Sequence, residues 1–261
     1  MAARPGGRTG DTRSVTELVW YVAYGSNMHA DRLRYYLAGG RPVGAARTYP
    51  GCRDPRPPRR TMPVFLPGGV YFALESRTWT GGMAFYDPTL PGRAAARAYL
   101  LTAGQFADVA AQEMARHPDV DLDLTEVLTT GRACLGPGRY ETLVRPGDLD
   151  GHPMLTFTAP WSCADVEPNP PAARYLGMIA SGLYEAHGWD ADTLVAYLAE
   201  RPGVRGHWTT DRVVDTLTGR FRRGAAVAPT PRAGNRTPIA TGKTGNQEFV
   251  RNNHRGAERN S

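Results

Sequence analysis

Lysine and cysteine are both scarce in this 261-residue chain. Lys243 is the one lysine among 31 basic residues, a bias that we attribute to genomic base composition rather than to function. The three cysteines are an odd number and form no C-x-x-C pair, which argues against a disulfide framework and against a zinc site. Free thiols fit a reducing compartment best, so we expect a cytoplasmic protein. We also expect a bacterial one.

Long apolar runs are also missing. No run reaches the roughly 18 residues that a membrane-spanning helix needs, so we expect no membrane partner. The chain is nevertheless 41% hydrophobic and 9% aromatic, which is enough for a core and excludes a chain that is disordered throughout.

Positive charge is unevenly distributed along the chain. From Arg220 onward, eight arginines and Lys243 face Glu248 and Glu258, a net charge of +7, so the rest of the chain carries −1 of the total +6. A near-neutral body with a basic tail is not typical of a nucleic-acid-binding domain. We therefore expect no specific nucleic-acid partner.

The stretch Val19–Asn27 is the one around which we expect the fold to be organised. Its first six residues are apolar or aromatic and stop at Gly25, Ser26 and Asn27. Such a run is typical of a buried strand that ends in a tight loop, where glycine lets the backbone approach a ligand.

Residues 28–37 have the pattern of a helix that follows this loop. Its apolar face is predicted to contain Met28, Leu33, Tyr36 and Leu37. Arg32 and Arg34 are predicted to point away from that face, and Ser26 or Asn27 to cap the helix. Free backbone N–H groups at a helix start suit a carboxylate or an oxyanion, although the pattern alone favours an ordinary strand-to-helix turn.

A second unusual feature is an acidic residue on an apolar helix face. Thr102 and Gln105 fit the capping-box pattern, so a helix is predicted to begin there. The apolar face contains Phe106, Val109 and Ala110 at positions i, i+3 and i+4. Glu113 comes at i+7, where burial disfavours a charged carboxylate and suits it to carry protons. The alternative is a slightly rotated helix in which Glu113 pairs with Arg116.

Tyr21–Asn27, with its Tyr-Gly-Ser-Asn core, resembles the signature loop of the γ-glutamylcyclotransferase-like family. In that family a helix after a central hairpin carries a glutamate that projects toward the loop and acts as a base. The segment 106–113 is similar to this helix in position and pattern, and 69–74 with 78–86 predict the hairpin. The resemblance covers residues 20–160 and is weakest in the proline- and arginine-rich stretch 41–67, where we expect an irregular loop.

The resemblance implies an α+β fold, a small mixed or antiparallel β-barrel with flanking helices. It implies γ-glutamyl cyclotransferase activity without a cofactor, in which a γ-glutamyl amide closes to 5-oxoproline and releases an amine or amino acid. Glu113 is then the catalytic residue. The implied substrate-binding residues are Tyr21, Val22, Ala23, Tyr24, Gly25, Ser26, Asn27 and Tyr140, the last on a strand predicted over 138–144.

The domain organisation follows from these patterns. We predict a flexible leader at 1–16 and a γ-glutamylcyclotransferase-like domain at 17–165, interrupted by an acidic insertion at 114–137. A helical extension is predicted at 166–218 and a disordered basic tail at 219–261. The extension either packs on the domain or pairs subunits, and the oligomeric state is left open.

Two other functions compete with the cyclotransferase reading. The same fold can serve as a non-catalytic small-molecule or protein-binding module, with Glu113 structural. A metal-dependent amide hydrolase or deacetylase is the third possibility, because Asp150-Gly151-His152 has the D-x-H spacing of metal ligands. The same three residues also fit a hairpin turn.

Overall fold

The computed structural model describes residues 17–42, 47–76, 78–209 and 211–216. The predicted leader at 1–16 and the predicted tail at 219–261 lie outside these residues.

The described residues contain eight strands, five α-helices and a further helical segment at 211–216. The strands are β1 (Leu18–Ala23), β2 (Arg60–Pro67), β3 (Gly69–Ala73), β4 (Met83–Asp87), β5 (Arg93–Thr102), β6 (Arg132–Cys134), β7 (Thr142–Leu149) and β8 (His152–Thr158). The helices are α1 (Ala30–Ala38), α2 (Ala103–Glu113), α3 (Thr125–Thr130), α4 (Ala173–His187) and α5 (Ala191–Ala199). Short 3-10 helices cover Ser26–Met28 and Cys163–Asp165.

β1 lies near the centre of a six-stranded sheet with the order β2-β5-β1-β8-β7-β6. It pairs antiparallel with β5 and parallel with β8, and the other neighbours in this sheet are antiparallel. Tyr21 lies opposite Tyr99 on one side and Leu155 on the other. β1 has a strand on each side and both of its faces are covered, so it is buried from Val19 to Ala23. This burial explains its unbroken apolar sequence.

β3 and β4 form a separate antiparallel hairpin, as the sequence predicted, although β4 begins at Met83 rather than at residue 78. The hairpin is tied to β8 by two hydrogen bonds. The Thr158 hydroxyl donates to the Tyr86 carbonyl at 2.7 Å and accepts from the Tyr86 N–H at 3.1 Å. The long β3–β4 loop is thereby held near the end of β1.

The prediction of an irregular loop over all of 41–67 is wrong for its last part. β2 runs through Pro63 and Pro67 and pairs with β5 along its whole length. Proline is tolerated here because β2 is an edge strand, whose outward side has no partner for a backbone N–H.

α1 and α2 both begin close to the predicted positions. Thr102 caps α2, and Gln105 completes the capping box. The predicted cap of the first helix is wrong, because Ser26 and Asn27 lie inside a 3-10 turn and His29 precedes α1 without a side-chain cap. The tight turn leaves Asn27 buried and directed inward, so it does not cap α1.

The segment predicted as an insertion contains α3 and also a short strand, β6, which the sequence analysis did not predict. Asp150 and Gly151 make the tight turn between β7 and β8, both with positive φ. This is the turn chemistry expected of an Asp-Gly pair in a hairpin.

α4 and α5 pack on the sheet and share its apolar core. Their buried positions follow the predicted periodicity, and Asp190 caps α5 by accepting from the Thr193 N–H at 2.9 Å. The predicted α+β class, with a mixed and mostly antiparallel sheet and flanking helices, is confirmed. Within the described residues, none of the helices combines the length and apolarity needed to traverse a bilayer.

Candidate active site

A cavity of about 440 Å³ opens beside the carboxyl end of β1. Its walls come from the loop after β1, the start of α1, the end of α2, the β3–β4 loop, the residues before β7, and α4. A volume of this size is within the range of small-ligand sites.

The 3-10 turn and the end of α2 meet at this cavity through Asn27 and Glu113. The Asn27 Nδ2 atom donates to Glu113 Oε1 at 2.9 Å and is 3.2 Å from the Tyr21 hydroxyl. Glu113 is half-buried, whereas Asn27 is 4% exposed. The alternative pairing of Glu113 with Arg116 does not occur, because Arg116 is ion-paired with Glu141.

Tyrosine hydroxyls surround the Glu113 carboxylate. Burial raises the pKa of Tyr36 well above its usual value, and the negative charge of Glu113, to which its hydroxyl is hydrogen-bonded, raises it further. Burial and then Glu113 also raise the pKa of Tyr21. Both side chains therefore stay neutral and act as hydrogen-bonding groups beside the carboxylate.

Tyr24 and Tyr140 line the cavity with hydroxyls that are already bound to the backbone. Tyr24 donates to the Phe157 carbonyl at 2.8 Å, and Tyr140 donates to the Ala84 carbonyl at 3.0 Å. Burial raises the pKa of both. Tyr140 lies just before β7 rather than on a strand, which corrects the strand predicted over 138–144.

Of the predicted loop residues, Gly25 and Ser26 line the cavity with Asn27, whereas Val22 and Ala23 do not. The side chains of Val22 and Ala23 are 0% and 2% exposed and belong to the core. Tyr21 reaches the cavity from β1 itself and Tyr24 from the position directly after it, so the site includes the end of the strand as well as the loop.

Arg32 lines the cavity, which contradicts the prediction that it points away. Its guanidinium lies over the rings of Tyr49 at 5.0 Å and of Tyr36 and Trp79 at 5.5 Å each. Burial opposes its charge, but the oxygens of the two tyrosines and Glu113 outweigh this and raise its pKa. Arg32 is therefore a permanent cation in the cavity wall.

Arg47 and Arg139 add two more cations at the rim, both exposed. Arg47 donates to the Gln112 carbonyl at 3.0 Å and lies 4.9 Å from the centre of the Tyr49 ring. Arg139 donates to the Glu75 carbonyl at 3.0 Å. Three further arginines of the proline-rich stretch form ion pairs away from the cavity: Arg53 with Asp108 and Asp121, Arg56 with Asp54, and Arg60 with Asp150.

α4 completes the site from the C-terminal side. Tyr175 accepts a hydrogen bond from the Ala84 N–H at 3.3 Å and stacks on Trp79 with ring centres 5.3 Å apart. Its hydroxyl is also close to Gly25, where an added Cβ would lie 3.5 Å from it. The helix therefore supports both the loop after β1 and the β3–β4 loop.

α4 also contacts the turn that carries Asn27 directly, through hydrogen bonds and close packing. Glu185 accepts from the Ala30 N–H at 3.0 Å and from Arg97 at 2.9 Å, and it lies 3.2 Å from His29 Nε2. One turn earlier on the helix, Gly182 packs so closely that an added Cβ would lie 2.6 Å from the Met28 Cβ. The position of Asn27 thus depends on α4 as well as on β1.

The D-x-H motif contributes nothing to this cavity. Asp150 is ion-paired with Arg60 at 2.9 Å, and His152 pairs with Leu149 in the β7–β8 hairpin. In the part of the chain that the structure describes, no group of three or more His, Cys, Asp or Glu residues is placed to hold a metal ion.

The sequence analysis missed several residues that line the cavity: Arg32, Tyr36, Tyr49, Trp79, Arg139 and Tyr175. The signal for Arg32 was weak, because a charged residue on a helix is usually solvated. Tyr175 was assigned only to an apolar helix face, and nothing local shows that this face reaches the loop after β1.

No protein-family model matches this chain. Among curated proteins it is similar to one named histone deacetylase 5 from Arabidopsis thaliana, with 29% identity over 198 residues. The similarity covers 69% of this chain but 30% of that protein, so the chain spans less than a third of the length of this curated relative.

Two solved structures are similar in fold. One is named gamma-glutamyl cyclotransferase, with a TM-score of 0.39 and 15% identity, covering 78% of this chain and 99% of that one. The other is an uncharacterized human protein, with a TM-score of 0.42 and 16% identity, covering 77% and 99%. Similarities of this size carry no functional argument, so function is argued below from the geometry of the site.

Proposed function

We propose that this chain is a γ-glutamyl cyclotransferase with Glu113 as the catalytic acid and base. The observation that carries the proposal is the hydrogen bond of 2.9 Å by which Asn27 holds Glu113 at the wall of the cavity. The Tyr-Gly-Ser-Asn loop and the downstream helical glutamate were singled out in the sequence independently, and they lie side by side in the fold.

In the proposed reaction the substrate supplies its own nucleophile. Glu113 takes a proton from the α-ammonium group, and the freed amine attacks the γ-carbonyl carbon to close a five-membered ring. The ring nitrogen gives up its second proton as the bond from that carbon to the leaving nitrogen breaks, Glu113 returns a proton to this nitrogen, and the released amine takes up the remaining proton. Holding the substrate folded converts the attack into a proximity effect, and no cofactor enters the proposal.

The residues around Glu113 are given complementary roles. Asn27 fixes the direction of the carboxylate. Tyr21 and Tyr36 remain neutral because their pKa values are raised, so they place hydroxyl groups rather than negative charge beside the Glu113 carboxylate. The loop at Gly25 and Ser26 is proposed to bind the glutamyl carboxylate and the developing oxyanion through its backbone.

The test is the release of 5-oxoproline from a panel of γ-glutamyl amides and dipeptides by the wild-type chain and by Glu113→Gln. We expect a loss of about 10²- to 10⁴-fold in kcat for the variant, the usual contribution of a general acid–base group. Glu126→Gln on α3, an exposed glutamate away from the cavity, is the matched control and is expected to keep full activity. A folded wild-type chain that releases no 5-oxoproline from any member of the panel would refute the proposal.

A further inference from the structure

The charges that line the cavity do not balance. Arg32, Arg47 and Arg139 contribute three positive charges, and none of them is ion-paired with a carboxylate among the described residues. Of the two lining carboxylates, Glu141 is ion-paired with Arg116 and accepts from the Gly138 N–H at 2.7 Å. Glu113 is therefore the one carboxylate left to face three cations.

Arg32 is the most informative of these cations because it is the most enclosed. Its Nε atom is buried without a hydrogen-bond partner in the described part of the chain, and its guanidinium is packed among three aromatic rings. Contacts with ring faces recover only about 0.5–2 kcal/mol each for a cation, less than full hydration provides. A guanidinium with open donor positions in a cavity wall is suited to a carboxylate, which it binds through two parallel hydrogen bonds.

Arg32 and Glu113 are neighbours in this wall. The charges of both act on the Tyr36 hydroxyl, in opposite directions: Glu113 raises its pKa and Arg32 lowers it. Glu113 is proposed to act on the leaving nitrogen as well as on the amino group, so the group carried by that nitrogen comes close to Arg32, Tyr49 and Trp79.

We propose that Arg32 is a specificity-determining residue that binds a second carboxylate, one carried by the group that leaves, and that Arg47 and Arg139 attract this group to the rim. The proposal rests on the cyclotransferase activity proposed above. Glu113 offsets one of the three cations, and the glutamyl part of the substrate, with one ammonium and one carboxylate, adds no net charge. A γ-glutamyl amino acid or peptide brings a further negative charge on its leaving group. A γ-glutamyl polyamine brings positive charge instead and is repelled by the same wall.

A matched pair of substrates tests this. γ-Glutamyl-alanine and γ-glutamyl-ethylamide differ only by the carboxylate of the leaving group. We expect kcat/KM to be about 10- to 100-fold higher for the alanine compound, the range of a charge-assisted hydrogen bond. Arg32→Gln should bring kcat/KM for the alanine compound close to the ethylamide value, so that the ratio of the two falls toward one. Arg32→Lys should restore part of the difference.

Arg34→Gln is the matched control, since Arg34 is an exposed arginine on the same helix and lies outside the cavity. It should leave the ratio of the two substrates unchanged. Equal wild-type rates for the two compounds would overturn the inference and leave the cyclotransferase proposal intact, and this comparison needs no variant to fold. An Arg32→Gln enzyme that slows both compounds equally would also overturn it, whereas no 5-oxoproline from either compound would count against the cyclotransferase itself.

Discussion

Asn27 and Glu113 are 86 positions apart in the sequence and lie 2.9 Å apart in the fold, Nδ2 to Oε1. The bond joins a buried 3-10 turn to the last residue of α2. A carboxylate at the end of a helix has several accessible rotamers, and a buried amide donor that selects one of them lowers the entropy lost when substrate binds. The contact is therefore the centre of the proposed chemistry.

Asn27→Leu removes this donor and keeps the branched shape of the side chain. If the proposed activity is correct, we expect kcat to fall about 10- to 100-fold with a smaller change in KM, because the base is misdirected rather than lost. Tyr21→Phe removes only the longer contact of 3.2 Å and should cost less. Steady-state kinetics of 5-oxoproline release measure both variants, and a larger loss in Tyr21→Phe than in Asn27→Leu would contradict this assignment.

The local parts of the fold could be predicted from the sequence. The apolar run of β1, the capping box at Thr102 and the Asp-Gly turn at Asp150 are each encoded by adjacent residues, and each is present. The juxtaposition of the loop with Glu113 came from a resemblance to a family. Nothing local in either segment encodes it.

The parts that could not be predicted depend on tertiary context. Proline in β2 is compatible with a strand only because β2 is at an edge, which the sequence does not show. Arg32 looks like a solvated helix residue until Tyr49 and Trp79, 17 and 47 positions further along the chain, are placed beside it. Tyr175 reaches the cavity because α4 folds back onto the turn at Ser26–Met28.

The buried tyrosines make stability sensitive to alkaline pH. Burial raises the pKa of Tyr21, Tyr24, Tyr36 and Tyr140 well above the value near 10 that they have when unfolded. The folded chain holds these protons more tightly, so the contribution is complete below about pH 10 and is lost as pH rises above that value. Urea unfolding between pH 9 and pH 11 should show a falling midpoint.

Tyr140→Phe tests the source of this effect. It removes one of the raised groups and should make the decline with pH shallower, whatever its effect at pH 8. Tyr184→Phe, at a residue that is 53% exposed, is the control and should keep the wild-type slope. Identical slopes in the wild type, Tyr140→Phe and Tyr184→Phe would show that Tyr140 does not contribute to the alkaline instability.

The three cysteines should differ in reactivity. Burial, followed by the charges of Asp108 and Asp54, raises the pKa of the Cys52 thiol to about 12, and burial also raises that of Cys163. Since the thiolate is the reactive form, a disulfide reagent at pH 8 should modify the exposed Cys134 first and the other two slowly. Cys134→Ser should abolish the fast phase, and urea should make the two remaining thiols react quickly. A fast phase that survives in Cys134→Ser would show that Cys52 or Cys163 is accessible, against this prediction.

The contact between α4 and the turn at Ser26–Met28 gives a structural prediction that is independent of the substrate. In Gly182→Ala the new Cβ would lie 2.6 Å from the Met28 Cβ and 2.7 Å from the His29 nitrogen, so either the helix or the turn must move. We expect a loss of about 1–3 kcal/mol in the free energy of unfolding, typical of overpacking in a core. Gly104→Ala in α2 is the matched control: its nearest neighbour would be 3.7 Å away, so it should be neutral or slightly stabilising, as alanine is favoured in helices.

The displaced turn carries Asn27, so Gly182→Ala should also lower kcat for 5-oxoproline release while the fold is intact. A variant that is destabilised but fully active would show that α4 supports the core without positioning the base.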